Sequence, residues 1–540
     1  MSATFPPLVE QDGVLSVAPG VVAEYRAEGW WDEESVSTLV RSHAARDPGG
    51  VAVVAGGRSW TWATYDERAD AVAAALAGLG LDRGDRVAVL LPDGLAIHAV
   101  LVGCARAGLV AVGIGHRAGD AEVRHLIART GARVLVTHEV HRGEPTRDLV
   151  ARVGDAVDGL RHWVLAEDGP PTQAAPPRAG ELTGTDVSML NSTSGTTGLP
   201  KCVTQFDQRW LHFSALAVDA GRLTPDDVVL AVVPTPFGFG LWTSHFVGTL
   251  LGARTVVMPR FSADEMVALI ERERATVLCC VSTQFRMLLN SPAVEQHDLS
   301  SLRVMFTGGE AVPYDRALEF ERRTGATVLQ FFGSNETGAL SCTTLEDDAE
   351  VRLRTAGRVL PHMQVRLYDE HGRPVPGEVA EGQPAGRGPL TCAGYYRDDA
   401  ANAQLYAADG WMLMGDVVRR DASGCLSVVG RQSDFVIRGG KNISSVEVEA
   451  AVDRHPAVAL VAVVPVPDDV FGERVCAVVT LHPGASLTLE QLGEHLTALG
   501  VSREWHPERL VVVEEMPRSS GGKIAKAQVR ELAVAQVAAG

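Results

Sequence analysis

The chain has 540 residues, 46% of them hydrophobic, which is enough to bury more than one core, so two to four domains are expected. A formal charge of -18 argues against a general binder of nucleic acid or of anionic membranes, whose phosphates it would repel except at local basic sites. The start M-S-A-T-F-P-P-L-V-E lacks a basic segment followed by an apolar one, and no later run reaches the roughly 18 apolar residues a membrane span needs, so a cytoplasmic protein is expected.

Eight cysteines are scattered without a C-x-x-C spacing, which points to reduced, mostly buried thiols rather than to zinc or a disulfide scaffold. Lysine occurs only at Lys201, Lys441, Lys523 and Lys526; every other of the 49 basic residues is arginine. A chain that uses arginine for generic positive charge keeps lysine where a compact ammonium on a flexible stem is wanted. Lys201 and Lys523 each follow a loop of small residues, whose backbone N–H groups suit phosphates.

In chain order, the run Val87 to Leu91 reads as a strand and Ile97 to Gly108 as a helix. The Pro/Gly/Ala-rich stretch Glu167 to Gly180 reads as a surface connection, and Val187 to Leu190 as a short strand. Further apolar strands alternate with amphipathic segments such as Ala263 to Arg274, the pattern of an α/β architecture with largely parallel sheets buried on both faces. From about Val365 the strands shorten, and D-A-S-G (Asp421 to Gly424) between two hydrophobic runs signals a hairpin. After Arg431 a separate small unit begins, with a serine-capped helix in S-S-V-E-V-E-A-A-V and a strand in V-A-L-V-A-V-V-P. The expected domains are 1–430 and 431–540.

The stretch N-S-T-S-G-T-T-G-L-P-K (Asn191 to Lys201) suits a solvated linker by composition, but the strand ahead of it and the lysine behind it favour a phosphate cradle. It is not a Walker A loop, because Leu199 and Pro200 separate the second glycine from Lys201 and Cys202 follows, which disfavours a P-loop kinase or ATPase. S-T-S-G-T-T-G-L-P-K resembles the signature loop of the adenylate-forming superfamily of acyl-CoA synthetases, aryl-acid ligases, peptide-synthetase adenylation domains and luciferases. Five further motifs resemble that family's ordered set: T-G-G-E (Thr307 to Glu310), F-F-G-S-N-E-T-G (Phe331 to Gly338), G-W-M-L-M-G-D (Gly410 to Asp416), the hinge segment from Gly430, and P-R-S-S-G-G-K-I-A-K (Pro517 to Lys526). The similarity runs from about Ala23 to Arg530.

The resemblance implies a large N-terminal adenylation core with stacked, mostly parallel sheets and a distorted small barrel, followed by a small mobile α+β domain. It implies a reaction in which a carboxylate attacks the α-phosphorus of ATP and pyrophosphate leaves, so that charge management dominates. Thr193, Ser194, Gly195, Thr196, Thr197, Gly198 and Lys201 would hold the β- and γ-phosphates. Gly308, Gly309, Glu310, Phe332, Gly333, Ser334 and Asn335 would surround the nucleotide, with Phe332 offering a π-face where tyrosine is usual and Asn335 replacing the usual threonine. Glu336, with Thr196, would hold Mg2+, for which a hard oxygen ligand is suited. Asp416 and Arg431 would reach the ribose, and Lys523, rather than Lys526, would steer the attacking carboxylate and the α-phosphate as a positioned charge.

Rotation of the small domain implies a hinge just after Arg431, at Ser433 or Asp434, where the family usually places Asp or Lys two residues on. Phe237, Gly238, Phe239 and Trp242, with Gly309, Gly333 and Gly338, correspond to the acid pocket, and no aspartate is present there to hold an α-ammonium. This points to a flat apolar slot for an aryl acid, although the same aromatics would serve equally as core. Coenzyme A is the commonest acceptor in the family, with Gly440 and Lys441 at the pantetheine tunnel; a carrier-protein phosphopantetheine, an amine or another small nucleophile is the alternative. A non-catalytic ATP-binding protein is the reading from another class, and the presence of Glu336, Asp416 and Lys523 together weighs against it.

Overall fold

The computed structural model describes residues 5–167, 169, 180–192, 199–438, 441–468, 470–519 and 522–539. The phosphate-loop residues Thr193 to Gly198, the tunnel residue Gly440 and most of the expected connection 167–180 lie outside the described residues.

Two large sheets carry the N-terminal domain. One has six strands and is parallel except at its edge, where Met189–Ser192 pairs antiparallel with Cys202–Gln205. The other has nine strands, parallel through its centre and antiparallel toward both edges. Helix Leu95–Arg106 is buried nearly all round, as a helix apolar on every face must be, and belongs to a core cluster that joins residues of both sheets. The strand expected at 87–91 spans Arg86–Leu90, and the amphipathic segment near 263 forms helix Ala263–Glu273, started by a Ser262 cap. All eight cysteines are free and buried.

A third sheet of five antiparallel strands stands where the small barrel is expected. Its hairpin Asp416–Arg420 and Leu426–Arg431 turns through Asp421 to Gly424, whose glycine has φ +81. The last strand of this sheet therefore runs to Arg431, and the next strand, Val436–Arg438, already belongs to the C-terminal sheet. That sheet pairs Val458–Asp468 with Gly472–Leu481 and packs helices Ser445–Val452 and Lys526–Ala539. The Ser444 side chain accepts from Glu447 N, which is the expected serine cap.

The hairpin Thr327–Ser334 and Gly338–Cys342 of the nine-stranded sheet carries F-F-G-S-N-E-T-G at its tip. Gly338 has φ +67, and a Cβ there would lie 2.5 Å from the Leu390 carbonyl oxygen, so only glycine fits this corner. Gly338→Ala should cost about 1–3 kcal/mol of stability, read as a lower melting temperature; an unchanged transition would show that the corner relaxes.

Candidate active site

A cavity of about 870 Å3 lies between the two domains. Gly308, Gly309, Glu310, Phe332, Gly333, Asp416 and Arg431 line it from the large domain, and Ser433, Asp434, Lys523 and Lys526 from the hinge and the small domain. Four lining residues also carry a buried polar atom with no partner among the described residues: Ser282 Oγ, Arg286 Nε, Arg518 Nε and Ser519 Oγ. Buried polar atoms ordinarily find partners, so these orphans fit a cavity built for a polar ligand such as a nucleotide.

Asp416 and Arg431 are separated by the hairpin but stand directly opposite each other in its register, and Arg431 Nε donates to Asp416 Oδ1 at 3.1 Å. Lys523 arrives from the small domain and donates from Nζ to the Gly309 carbonyl at 2.9 Å. Gly309 has φ +75, and a Cβ there would meet Lys523 Nζ at 2.4 Å, so the glycine is what admits the lysine. Burial pulls the Lys523 ammonium below its ordinary pKa, against the attraction of Glu310, Asp416 and Glu336 and with the repulsion of Arg431. Lys526 contrasts with it. Its ammonium sits 2.8 Å from Glu449, 3.5 Å from Asp434 and 2.9 Å from Ser445 Oγ, and although burial opposes it, the two carboxylates hold its pKa above the ordinary range. Lys526 thus binds within the small domain, while Lys523 has no carboxylate at salt-bridge distance among the described residues.

The tip of the F-F-G-S-N-E-T-G hairpin is a tight turn in which Ser334 Oγ accepts from Glu336 N and Thr337 N at 3.2 and 3.0 Å. Gly333 packs on the other strand, where a Cβ would meet the Gly338 oxygen at 2.0 Å. Glu336 Oε1 accepts from the Tyr395 hydroxyl at 2.8 Å, and Lys201 Nζ lies 4.7 Å above the Tyr395 ring, so one tyrosine links the lysine after the loop to this glutamate. Asn335 donates to Asn191 Oδ1 at 2.9 Å and accepts from Gln205 Nε2 at 3.0 Å, tying the turn to both strands that flank the loop. Beneath it, buried Arg209 donates to the carbonyls of Asn335 and Glu336 at 3.1 and 3.3 Å and to Leu390 O at 2.8 Å; burial pulls its pKa down to about 10. Tyr395, Arg209 and Gln205 are site residues that sequence reasoning missed. The one local signal was a polar Q-x-x-x-R pair where strand Cys202–Gln205 passes into helix Asp207–Gly221.

Glu310 lines the cavity, but both of its carboxylate oxygens accept from Thr283, at N and Oγ1, at 3.0 and 3.1 Å. It therefore caps helix Ser282–Asn290. Phe237, Gly238, Phe239, Trp242 and Gly338 do not line this cavity. For Trp242 the core reading holds: it is 0% exposed, with its ring against Phe213, Phe239, Phe306 and Phe331. Gly238 lies against the turn instead, since a Cβ there would meet Asn335 Oδ1 at 2.6 Å. Ser433 and Asp434 form a short turn after Arg431, with Ser433 Oγ donating to Asp434 Oδ1 at 2.8 Å. Lys441 is exposed, paired with Glu504 at 2.5 Å, and is not part of the cavity.

The fold and this cavity define an adenylate-forming enzyme, and the comparisons agree. The chain belongs to the family of AMP-binding enzymes: that family's model matches residues 40–396, and the model of the AMP-binding enzyme C-terminal domain matches residues 447–523. It is an adenylate-forming ligase. It is 31% identical over 532 residues to a 2,3-dihydroxybenzoate-AMP ligase of Bacillus subtilis (strain 168), covering 97% of this chain and 98% of that one. It is 34% identical over 533 residues to the salicyl-AMP ligase / salicyl-S-ArCP synthetase of Mycobacterium tuberculosis (strain ATCC 25618 / H37Rv), covering 95% and 93%. The crystal structure of ATP-bound MatB from Rhodopseudomonas palustris superposes with a TM-score of 0.81 at 27% identity, covering 93% of this chain and 99% of that one.

Gly309→Ala should push Lys523 off the carbonyl and slow acyl-adenylate formation at least tenfold, about 1.4 kcal/mol in the barrier, measured by pyrophosphate exchange. An unchanged rate would show that the lysine does not work from this position. Tyr395→Phe should raise the concentration of magnesium-ATP needed for half-maximal exchange about tenfold or more, the ~1.5 kcal/mol lower end for one hydrogen bond to a charged group, with little change in melting temperature.

Proposed function

We propose that this protein activates an apolar aryl carboxylic acid as its acyl-adenylate and then transfers the acyl group to a thiol, that of coenzyme A first among the candidates. The observation that carries the reading is the meeting of Lys523 with Asp416, Arg431 and the T-G-G-E segment in one cavity between two domains. The aryl preference is supported by the aromatic Phe237 and Phe239, by the lack of an aspartate in 234–242, and by relatives named for dihydroxybenzoate and salicylate.

In the first step an oxygen of the acid carboxylate forms a bond to the α-phosphorus of ATP, and the bond from that phosphorus to the bridging oxygen of pyrophosphate breaks. Lys523 is placed to leave the Gly309 carbonyl for the incoming anions, where a positive charge offsets what accumulates on the α-phosphate. Asp416, an acceptor at the cavity wall, receives the ribose hydroxyls while Arg431 keeps its carboxylate aimed. Lys201 and residues 193–198 hold the departing phosphates.

Mg2+ fits the Glu336 corner. Tyr395 takes one oxygen of that carboxylate, and Oε2 has no protein donor among the described residues. Among the described residues no group of three His, Cys, Asp or Glu forms a cage, so Glu336, with Thr196, would hold the ion beside the oxygens of the nucleotide, the usual arrangement for this ion. When bound, the ion neutralises phosphate charge. In the second step the acceptor sulfur bonds to the acyl carbon, its proton is lost to solvent, and AMP leaves.

The small domain beyond Arg431 rotates about Ser433 and Asp434 between the two steps, withdrawing Lys523 and bringing the segment of Gly440 and Lys441 to the acceptor. Transfer to a carrier-protein phosphopantetheine is the second reading, favoured by the salicyl-S-ArCP synthetase among the relatives. Pyrophosphate exchange across benzoates, hydroxybenzoates and alkyl acids should give its highest rates with aryl acids, and product analysis with and without coenzyme A should find the thioester only when the thiol is present. Exchange with no acid would refute the ligase reading, and an adenylate that never passes to coenzyme A would move the acceptor to a carrier or an amine.

A further inference from the structure

We infer that Asp453 is the latch that holds the small domain in the position where Lys523 reaches the reaction centre. Asp453 ends helix Ser445–Val452 of the small domain, yet it is only 6% exposed because it inserts between two helices of the large one. Its Oδ1 pairs with Arg286, also 6% exposed, on helix Ser282–Asn290, and its Oδ2 lies 3.6 Å from Arg316 Nε on helix Tyr314–Thr324. Two lesser contacts flank this cluster: Arg454 pairs with Asp315 at 3.0 Å on the exposed side, and Asn290 Nδ2 donates to Ala459 O at 3.3 Å.

The latch is mechanically tied to the lysine's landing point. Lys523 binds the carbonyl of Gly309; the next residue, Glu310, caps helix Ser282–Asn290 at Thr283; and Arg286, one turn further along the same helix, takes Asp453. A shift of the small domain that frees Asp453 therefore moves Lys523 off Gly309 as well.

The chemistry of the contact suits a joint that must open. While the joint is closed, a carboxylate buried between two guanidiniums is costly to leave unpaired, and each ion finds water when the domains part, whereas an apolar contact of the same area would expose hydrocarbon. Asp453 is a positioning residue: it acts through Lys523. The inference rests on the two-step reading above, and the experiment separates the two.

Asp453→Asn keeps the shape and removes the charge. Pyrophosphate exchange should fall at least tenfold, while transfer from supplied acyl-adenylate changes less than twofold. Equal loss in both half-reactions, or an unchanged exchange rate, would overturn the latch. Wild-type enzyme that exchanges with no acid would instead sink the ligase reading itself.

A merely structural role is distinguished by rescue. Asp315→Cys and Arg454→Cys, introduced at the exposed flank, can be joined by a short bis-maleimide, because all eight native thiols are buried. In the Asp453→Asn background this bridge should restore a single turnover of adenylate formation and block transfer. A bridged enzyme that still forms adenylate at the unbridged rate would overturn the proposal. Should Asp453→Asn lower the melting temperature too far to assay, Arg316→Gln, which removes only the longer arm, should give the same split at about threefold, and equal effects on both steps would again refute it.

Discussion

The contact on which the site depends is the one between the Lys523 ammonium and the Gly309 carbonyl. It is made between domains, by a side chain 214 residues further along the chain, and it sets an ammonium of the small domain against the cavity wall. A carbonyl is a weak partner for an ammonium compared with a carboxylate. Lys523 is thus held near its working position without being neutralised, whereas Lys526, three residues later, is fully committed to Glu449 and Asp434. The two lysines of G-G-K-I-A-K thus differ: Lys523 has no carboxylate at salt-bridge distance among the described residues, and Lys526 binds Asp434 to the small domain's own helix.

Around that contact the large domain supplies fixed geometry by ordinary strand logic. Register in the hairpin Asp416–Arg420 and Leu426–Arg431 sets a carboxylate opposite a guanidinium. The hairpin tip 334–337 is made rigid by Ser334, by the Asn191–Gln205–Asn335 amides and by the buried Arg209 fork beneath its carbonyls. Arg209 has no carboxylate partner in salt-bridge range among the described residues, so its charge is met by carbonyl and amide oxygens and by the Trp210 ring 4.8 Å away. A buried cation of this kind is costly, and its position directly under Glu336 makes it part of the site's electrostatics.

Much of this was legible in the sequence because it is local. The strand–helix alternation, the Ser444 cap and the D-A-S-G hairpin each depend on neighbours a few residues apart. Residues that act through remote contacts left no such mark. Tyr395 meets Glu336 across 59 residues and Arg286 meets Asp453 across 167, and neither pair follows from spacing or composition. Trp242 illustrates the opposite error: an aromatic within the expected acid-pocket segment reads equally well as wall or as core, and only its zero exposure decides for core. Glu310 was legible as part of T-G-G-E, but that it caps a neighbouring helix depends on where Thr283 folds.

The central claim is that Lys523 serves adenylate formation and not acyl transfer. It is tested most directly by measuring the two half-reactions separately in Lys523→Ala: pyrophosphate exchange with an accepted aryl acid, and consumption of supplied acyl-adenylate by the acceptor thiol. Removing the one positioned charge should reduce exchange by at least a hundredfold, about 2.7 kcal/mol, and leave transfer within a few-fold of the wild-type rate. Equal loss in both half-reactions, or an exchange rate that survives without the ammonium, would contradict the account.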